Sequence, residues 1–124
     1  MTHRTNGRVW EERVYEYLAQ HGLKILKHSY HCRFGELDLV CADGDTLAIV
    51  EVRSRAAGSI ASALETVDAR KRRKLIQTTR HLLMRHPEWA ERPVRFDIVA
   101  IDSSDTCNAQ YAWIKNAFDT SDDA

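Results

Sequence analysis

Two short segments carry the residues best suited to chemistry. They are Gly35-Glu36-Leu37-Asp38-Leu39-Val40-Cys41 and Thr46-Leu47-Ala48-Ile49-Val50-Glu51-Val52-Arg53. Both are β-rich, and Ala42-Asp43-Gly44-Asp45 between them has the composition of a tight turn, so together they read as a β-hairpin. Strand side chains alternate between faces, which puts Glu36 with Asp38 on one face and Glu51 with Arg53 on another strand's corresponding face. With Asp43-Gly44 at the centre of a two-residue turn, Glu36 is expected opposite Glu51 and Asp38 opposite Ile49. All four ionisable groups then share one face of the hairpin.

These carboxylates sit among Leu37, Leu39, Cys41, Leu47, Ile49, Val50 and Val52, the residues of an interior strand pair. Unpaired there, they would repel each other and lose their hydration. A divalent cation removes the conflict. Mg²⁺ (or Mn²⁺) prefers oxygen ligands and commonly rests on one or two carboxylates plus phosphate oxygens. Asp38 and Glu51 are the expected metal ligands. The bland alternative is a solvated hairpin face with Glu51 paired to Arg53 or Arg55; Leu47 and Ile49 on that same face argue against it.

A second constellation is Arg70-Lys71-Arg72-Arg73-Lys74, five positive charges in succession. At about 100° per residue the run encircles a helix, so at least one member must turn toward the protein body or snorkel past Val67 and Leu75. Phosphate contact, strengthened by counterion release, is the functional expectation; a solvated helix face is the alternative. Arg53 and Arg55 would extend the same positive surface, and the expected partner is nucleic acid, DNA above all.

The elements that must position these residues follow from periodicity. Trp10, Val14, Tyr17 and Leu18 recur at helical spacing within Gly7–Gln20, and Gly22 stands where that helix would stop. Leu23–Cys32 reads as a strand and precedes the hairpin. A loop around Gly58 and Ser59 leads to a long helix from about Ser62 or Asp68 to Arg85, with Leu64, Val67, Leu75, Thr78, Leu82 and Leu83 as its inner stripe. Pro87 ends it. Val94–Ile101 and Gln110–Ile114 are further strands. The order αβββαββ predicts an α/β fold, a mixed central sheet flanked by helices.

The chain has 124 residues, 44% of them hydrophobic and 29% charged, the profile of a single soluble domain over 1–118 with an acidic, disordered tail at 119–124. No apolar run reaches the ~18–20 residues of a membrane span, and the first residues lack the apolar core of a secretory signal. Cys32, Cys41 and Cys107 are odd in number, widely spaced and form no C-x-x-C pair, so neither a disulfide framework nor a zinc site is indicated. A cytoplasmic location without membrane contact is expected. The formal net charge is zero, yet residues 1–100 carry 17 Lys and Arg against 13 Asp and Glu, while residues 101–124 carry 1 against 5. A basic body suits a polyanion. His28 and His31 fall on opposite strand faces, Trp10, Trp89 and Trp113 lack the basic interleaving of a base-stacking platform, and Ser54 and Ser59 have no partner base.

The paired segments Gly35–Val40 and Ile49-Val50-Glu51-Val52-Arg53-Ser54-Arg55 resemble the YraN-like family of uncharacterised bacterial proteins. Gly7 to Glu11, Val67, Lys71, Arg95-Phe96-Asp97-Ile98-Val99-Ala100 and Asn116-Ala117-Phe118 extend the likeness over most of the chain. That family looks related to archaeal Holliday-junction resolvases and to nucleases of the restriction-endonuclease-like fold, with a D…(D/E)-x-K signature. The resemblance implies a metal-dependent endonuclease acting on DNA, branched or otherwise structured. It makes Asp38 and Glu51 the metal-binding acids, adds the backbone carbonyl of Val52, and suggests Glu11 or Glu12 as a helical acid and Glu36 as a supporting one. The expected lysine is replaced by Arg53, which keeps the charge for phosphate but cannot act as a base. A catalytically inactive nucleic-acid-binding or adaptor protein is the alternative this departure favours. A two-fold substrate would favour a homodimer.

Overall fold

The computed structural model describes residues 12–55, 60–102 and 110–120. Helix α1 spans residues 12–20. Strands β1 (Lys24–Cys32), β2 (Gly35–Asp43) and β3 (Thr46–Arg55) follow, then α2 (Ile60–Glu65) and α3 (Ala69–Arg85). A 3₁₀ turn at Pro87–Trp89 leads into β4 (Val94–Asp102) and β5 (Gln110–Phe118). The five strands lie in sequence order in one sheet. Among the described strands only β3 and β4 run parallel, a pairing that needs a long crossover, and α2 with α3 supplies it.

Helices cover both faces. Val14 and Leu18 of α1 pack with Leu39, Cys41, Ala48, Val50, Val99 and Ile101 on one side. Leu75, Ile76 and Leu82 of α3 pack with Val40, Leu47, Ile49, Phe96 and Ile98 on the other. A sheet buried on both sides has no polar face to alternate with, which explains the nearly unbroken apolar runs of β3 and β4. No helix among the described residues is long and apolar enough to cross a membrane.

Element ends have local causes. Gly22, at φ 90, closes α1 in a Schellman motif: Leu23 N–H returns to the Leu18 carbonyl and Gly22 N–H to that of Ala19, each at 3.1 Å. The long helix expected after β3 is two helices. Asp68 is extended and caps α3 by accepting the Lys71 amide at 2.9 Å, so the chain must turn before α3 begins. β5 runs past Ile114 to Phe118, whose ring stacks on Phe96 at 4.8 Å. Of the acidic tail, residues 121–124 lie outside the described part, as do Trp10 and Cys107.

The hairpin register differs from the expected one. Asp43 pairs with Thr46 and Leu39 with Val50, so Gly44 and Asp45 form the turn. Gly44 has φ 60 and Asp45 no positive φ, the pattern of a type II′ turn with glycine first. Asp43 stays in the strand because its carboxylate accepts from Arg95 Nη1 at 2.9 Å.

Arg95 also grips Asp97, the most enclosed carboxylate among the described residues. Arg95 Nε and Nη2 each donate to Asp97 at 2.9 Å, Trp113 Nε1 donates at 3.0 Å, and the Asn116 amide donates at 2.9 Å. This cluster ties β4 to β5 and to the β2–β3 turn. Asp97→Ala should cost about 3 kcal/mol, because it leaves the Trp113 indole N–H and the Asn116 amide without their acceptor and Arg95 with Asp43 as its remaining acid. Urea unfolding of wild type and variant reads the difference directly; an unchanged midpoint would show that the cluster contributes nothing.

Candidate functional site

The ladder between β2 and β3 stops at Leu39 and Val50. In a continued ladder, Leu37 would next exchange backbone hydrogen bonds with Val52. Instead Asp38 Oδ2 accepts the Val52 amide at 2.9 Å, a side chain in place of a strand. The pleat breaks at the same point: Leu37 packs on the α3 side with Val40, while Leu39 packs on the α1 side. Across from Asp38, Ser29 of β1 has the left-handed φ of 59. The strands splay here and leave the Asp38 side chain between them.

Glu51 lies on the face covered by α3 and is only 4% exposed. Its Oε2 meets Arg53 Nη2 at 2.9 Å and Lys71 Nζ at 3.5 Å. Its carboxyl also bonds that of Asp38. Burial pushes Glu51 up from the ordinary 4.5 to about 7, and the charge of Asp38 adds to the effect while Lys71 and Arg53 oppose it. Burial raises Asp38 as well, against the Val52 amide, the Glu51 bond and the two cations. Both acids are thus shifted upward by burial, so the pair holds a proton more readily than two isolated carboxyls would. Arg53 Nε is buried and has no acceptor among the described residues.

The donor set suits a hard divalent cation. Two carboxyl groups meet here, and a strand residue's C=O points to the same side as its N–H, so the Val52 carbonyl faces the β2 side as well. No group of three or more His, Cys, Asp or Glu side chains forms a metal site among the described residues. An ion at Asp38 and Glu51 would draw its other ligands from water and phosphate, as Mg²⁺ does.

The residues expected from sequence divide clearly. Asp38, Glu51, Val52 and Arg53 come together. Glu36 does not: it is exposed and pairs with His31 of β1 at 3.1 Å. The register placed Glu36 opposite Glu51, whereas the Asp43–Thr46 closing pair extrapolates to Asp38 opposite Glu51. Glu11 lies outside the described residues, as does the Arg55 side chain; Glu12 is exposed on α1. Within the basic run Arg70, Arg73 and Lys74 are exposed. Arg72 turns inward, its Nε donating to the Val67 carbonyl at 3.0 Å and its guanidinium lying 5.6 Å from the Phe118 ring centre. Lys71 reaches the carboxylates, a role that reading the run as surface charge missed. Its signal was present: Lys71 lies one turn before Leu75 on the buried stripe of α3.

The pH dependence of stability follows from Glu51. Below pH 4.5 its carboxyl is protonated in folded and unfolded chains alike. Between 4.5 and about 7 the folded chain keeps a proton that the unfolded chain has lost, so stability falls as pH rises and levels off above 7. The total loss is at most about 3–4 kcal/mol. Urea unfolding from pH 5 to 8 should show this slope in wild type and a flatter one in Glu51→Gln; equal slopes would remove Glu51 as its source.

The chain is similar to known sequences along most of its length. The profile described as "Uncharacterised protein family UPF0102" matches residues 10–101. "UPF0102 protein PSPA7_4996" of Pseudomonas paraeruginosa (strain PA7) is 47% identical over 124 residues, covering 96% of this chain and 99% of the relative. "UPF0102 protein PA4424" of Pseudomonas aeruginosa PAO1 is 47% identical over 117 residues, covering 94% of each. A UPF0102 protein of Alcanivorax borkumensis is 42% identical over 115 residues, covering 93% and 92%.

Proposed function

The chain belongs to the uncharacterised protein family UPF0102, and on that premise we propose that it is a metal-dependent endonuclease acting on DNA. The observation that carries this reading is the convergence of Asp38, Glu51 and Lys71 where the β2–β3 ladder ends. The mixed five-stranded sheet with helices on both faces is compatible with the restriction-endonuclease-like fold and the resolvase kinship that the hairpin motif suggests.

Asp38 and Glu51 would hold Mg²⁺ or Mn²⁺, with the Val52 carbonyl beside them. When bound, the ion supplies Lewis-acid stabilisation of phosphate charge and lowers the pKa of its water. An arginine is a poor base, so the part of Arg53 would be to neutralise charge on phosphate oxygens. Its unpartnered Nε gives it a donor not spent on Glu51. Lys71 brings to the carboxylates, from α3, the ammonium that strand β3 lacks at position 53. Arg70, Arg73 and Lys74 border the same end of α3 and would meet the backbone of the DNA.

One observation favours a second reading, a non-catalytic DNA-binding protein. Glu51 Oε2 is already engaged by Arg53 and Lys71, and the ion must compete with both.

Cleavage assays on labelled single-stranded, duplex and four-way-junction DNA decide between them. Wild type should cut in Mg²⁺ or Mn²⁺ and not in EDTA. Asp38→Asn should abolish turnover, and Lys71→Met should lower it by about 10²-fold. Cutting that survives in Asp38→Asn would overturn the site assignment. DNA binding without cutting in wild type, but cutting in Arg53→Lys, would establish the second reading and identify the residue responsible.

A further inference from the structure

The C-terminal half of α3 and the turn between β1 and β2 carry charge that the carboxylate site does not use. Cys32 pairs with Gly35, leaving Arg33 and Phe34 at the tip of the turn. The tip is fixed to α3 in three ways. Tyr30 Oη and His81 Nδ1 share a hydrogen bond. The Phe34 ring meets the His81 ring edge-on, with centroids 6.1 Å apart. Gly35, at φ 149, lies so close to α3 that a Cβ there would stand 3.2 Å from Thr78 Oγ1. Arg33 extends over the Phe34 ring at 4.9 Å, and Arg85 is near enough for its charge to act on Tyr30.

Helix α3 contains no acidic residue. Lys71, Lys74, Thr78, His81 and Arg85 fall within an arc of about 80° on one side of it, the side that meets β1 and β2. Arg33, Lys74 and Arg85 have no carboxylate partner among the described residues, and the tip's own acid, Glu36, is occupied by His31. Lys71 and Lys74 at one end of this arc and Arg85 at the other flank buried Thr78 and half-buried His81, over which the turn carries exposed Arg33. From Lys71 to Arg85 the rise is about 21 Å, which at about 3.4 Å per base pair spans roughly six base pairs of duplex.

We propose that Arg33 and Arg85 form a flanking phosphate contact, separate from the carboxylate site, that grips duplex backbone roughly six base pairs to one side of it. The proposal rests on the nucleic-acid reading above and adds the direction in which the DNA leaves the site. Tyr30, His81 and Phe34 are positioning residues that hold the turn against α3.

Fluorescence anisotropy with Ca²⁺ in place of Mg²⁺, on duplexes of increasing length, tests it. Wild type should gain affinity as the duplex lengthens beyond about six base pairs from the site. Arg33→Ala/Arg85→Ala should bind long duplex about tenfold more weakly, with a log–log salt slope shallower by about 2. Lys24→Ala/Arg92→Ala removes equal charge at the opposite end of the hairpin, where Arg92 reaches the Gly44 carbonyl, and should retain the gain. Thermal melting of both variants checks that the fold persists. A gain equal in wild type and Arg33→Ala/Arg85→Ala, or lost equally in both double variants, would overturn the flanking contact and leave the carboxylate site intact. Failure of wild type to bind any duplex would instead overturn the DNA reading itself.

Discussion

The bond from the Val52 amide to Asp38 organises the site. A central strand satisfies its amides with a neighbour's carbonyls, and an amide left without one in the interior is costly. Here a carboxylate accepts in place of a carbonyl, and that substitution lets β2 and β3 separate without leaving an unpaired donor. The separation brings Asp38 to Glu51, and the same bond fixes the direction of the Val52 carbonyl. Leu37 is released to pack under α3, which draws the far half of β2 toward the helix and Gly35 onto Thr78. One hydrogen bond thus links the acid pair to the placement of the β1–β2 turn.

A buried carboxylate, Glu51, in contact with a half-buried one, Asp38, forms a conflict that the fold eases without abolishing. Arg53 and Lys71 offset part of the repulsion, yet both acids stay above their ordinary range because burial outweighs the two cations. Asp97 shows the contrasting solution on the same sheet: a bidentate arginine, an indole and an amide satisfy it, and nothing is left for a ligand to do. The difference between the two acids lies in those partners, not in depth, since Glu51 and Asp97 are both buried.

Much of this was legible in the residues. Gly22, the turn composition and Pro87 mark where elements stop, and the order of strands and helices implies a mixed sheet. The hairpin register was missed by two residues, because both Asp-Gly and Gly-Asp can centre a tight turn and only the Arg95 contact, remote in sequence, holds Asp43 in the strand. An error of two residues is one full pleat period, so Asp38 and Glu51 stayed on the same face while their opposite partners changed. The break at Asp38 could not be read, since alternation carries no sign of where a side chain will take over a backbone bond. Lys71 was hidden inside a charge run whose other members face water or turn elsewhere. Only the phase of α3, set by its Asp68 cap, separates it from them.

The parallel pairing of β3 with β4 has a bearing on folding order. The two carboxylates and the amide that anchors them come from one local hairpin, where loop closure costs little entropy. Lys71 arrives only with the crossover helix, and that crossover must be laid down before β4 can dock beside β3, the sort of non-local step that slows a chain. Partial opening that lifted α3 from the sheet would leave the acid pair assembled but without its ammonium and without its cover. Assembly of the pair is thereby tied to the crossover: the two acids are local, and the ammonium beside them comes from the helix that joins β3 to β4.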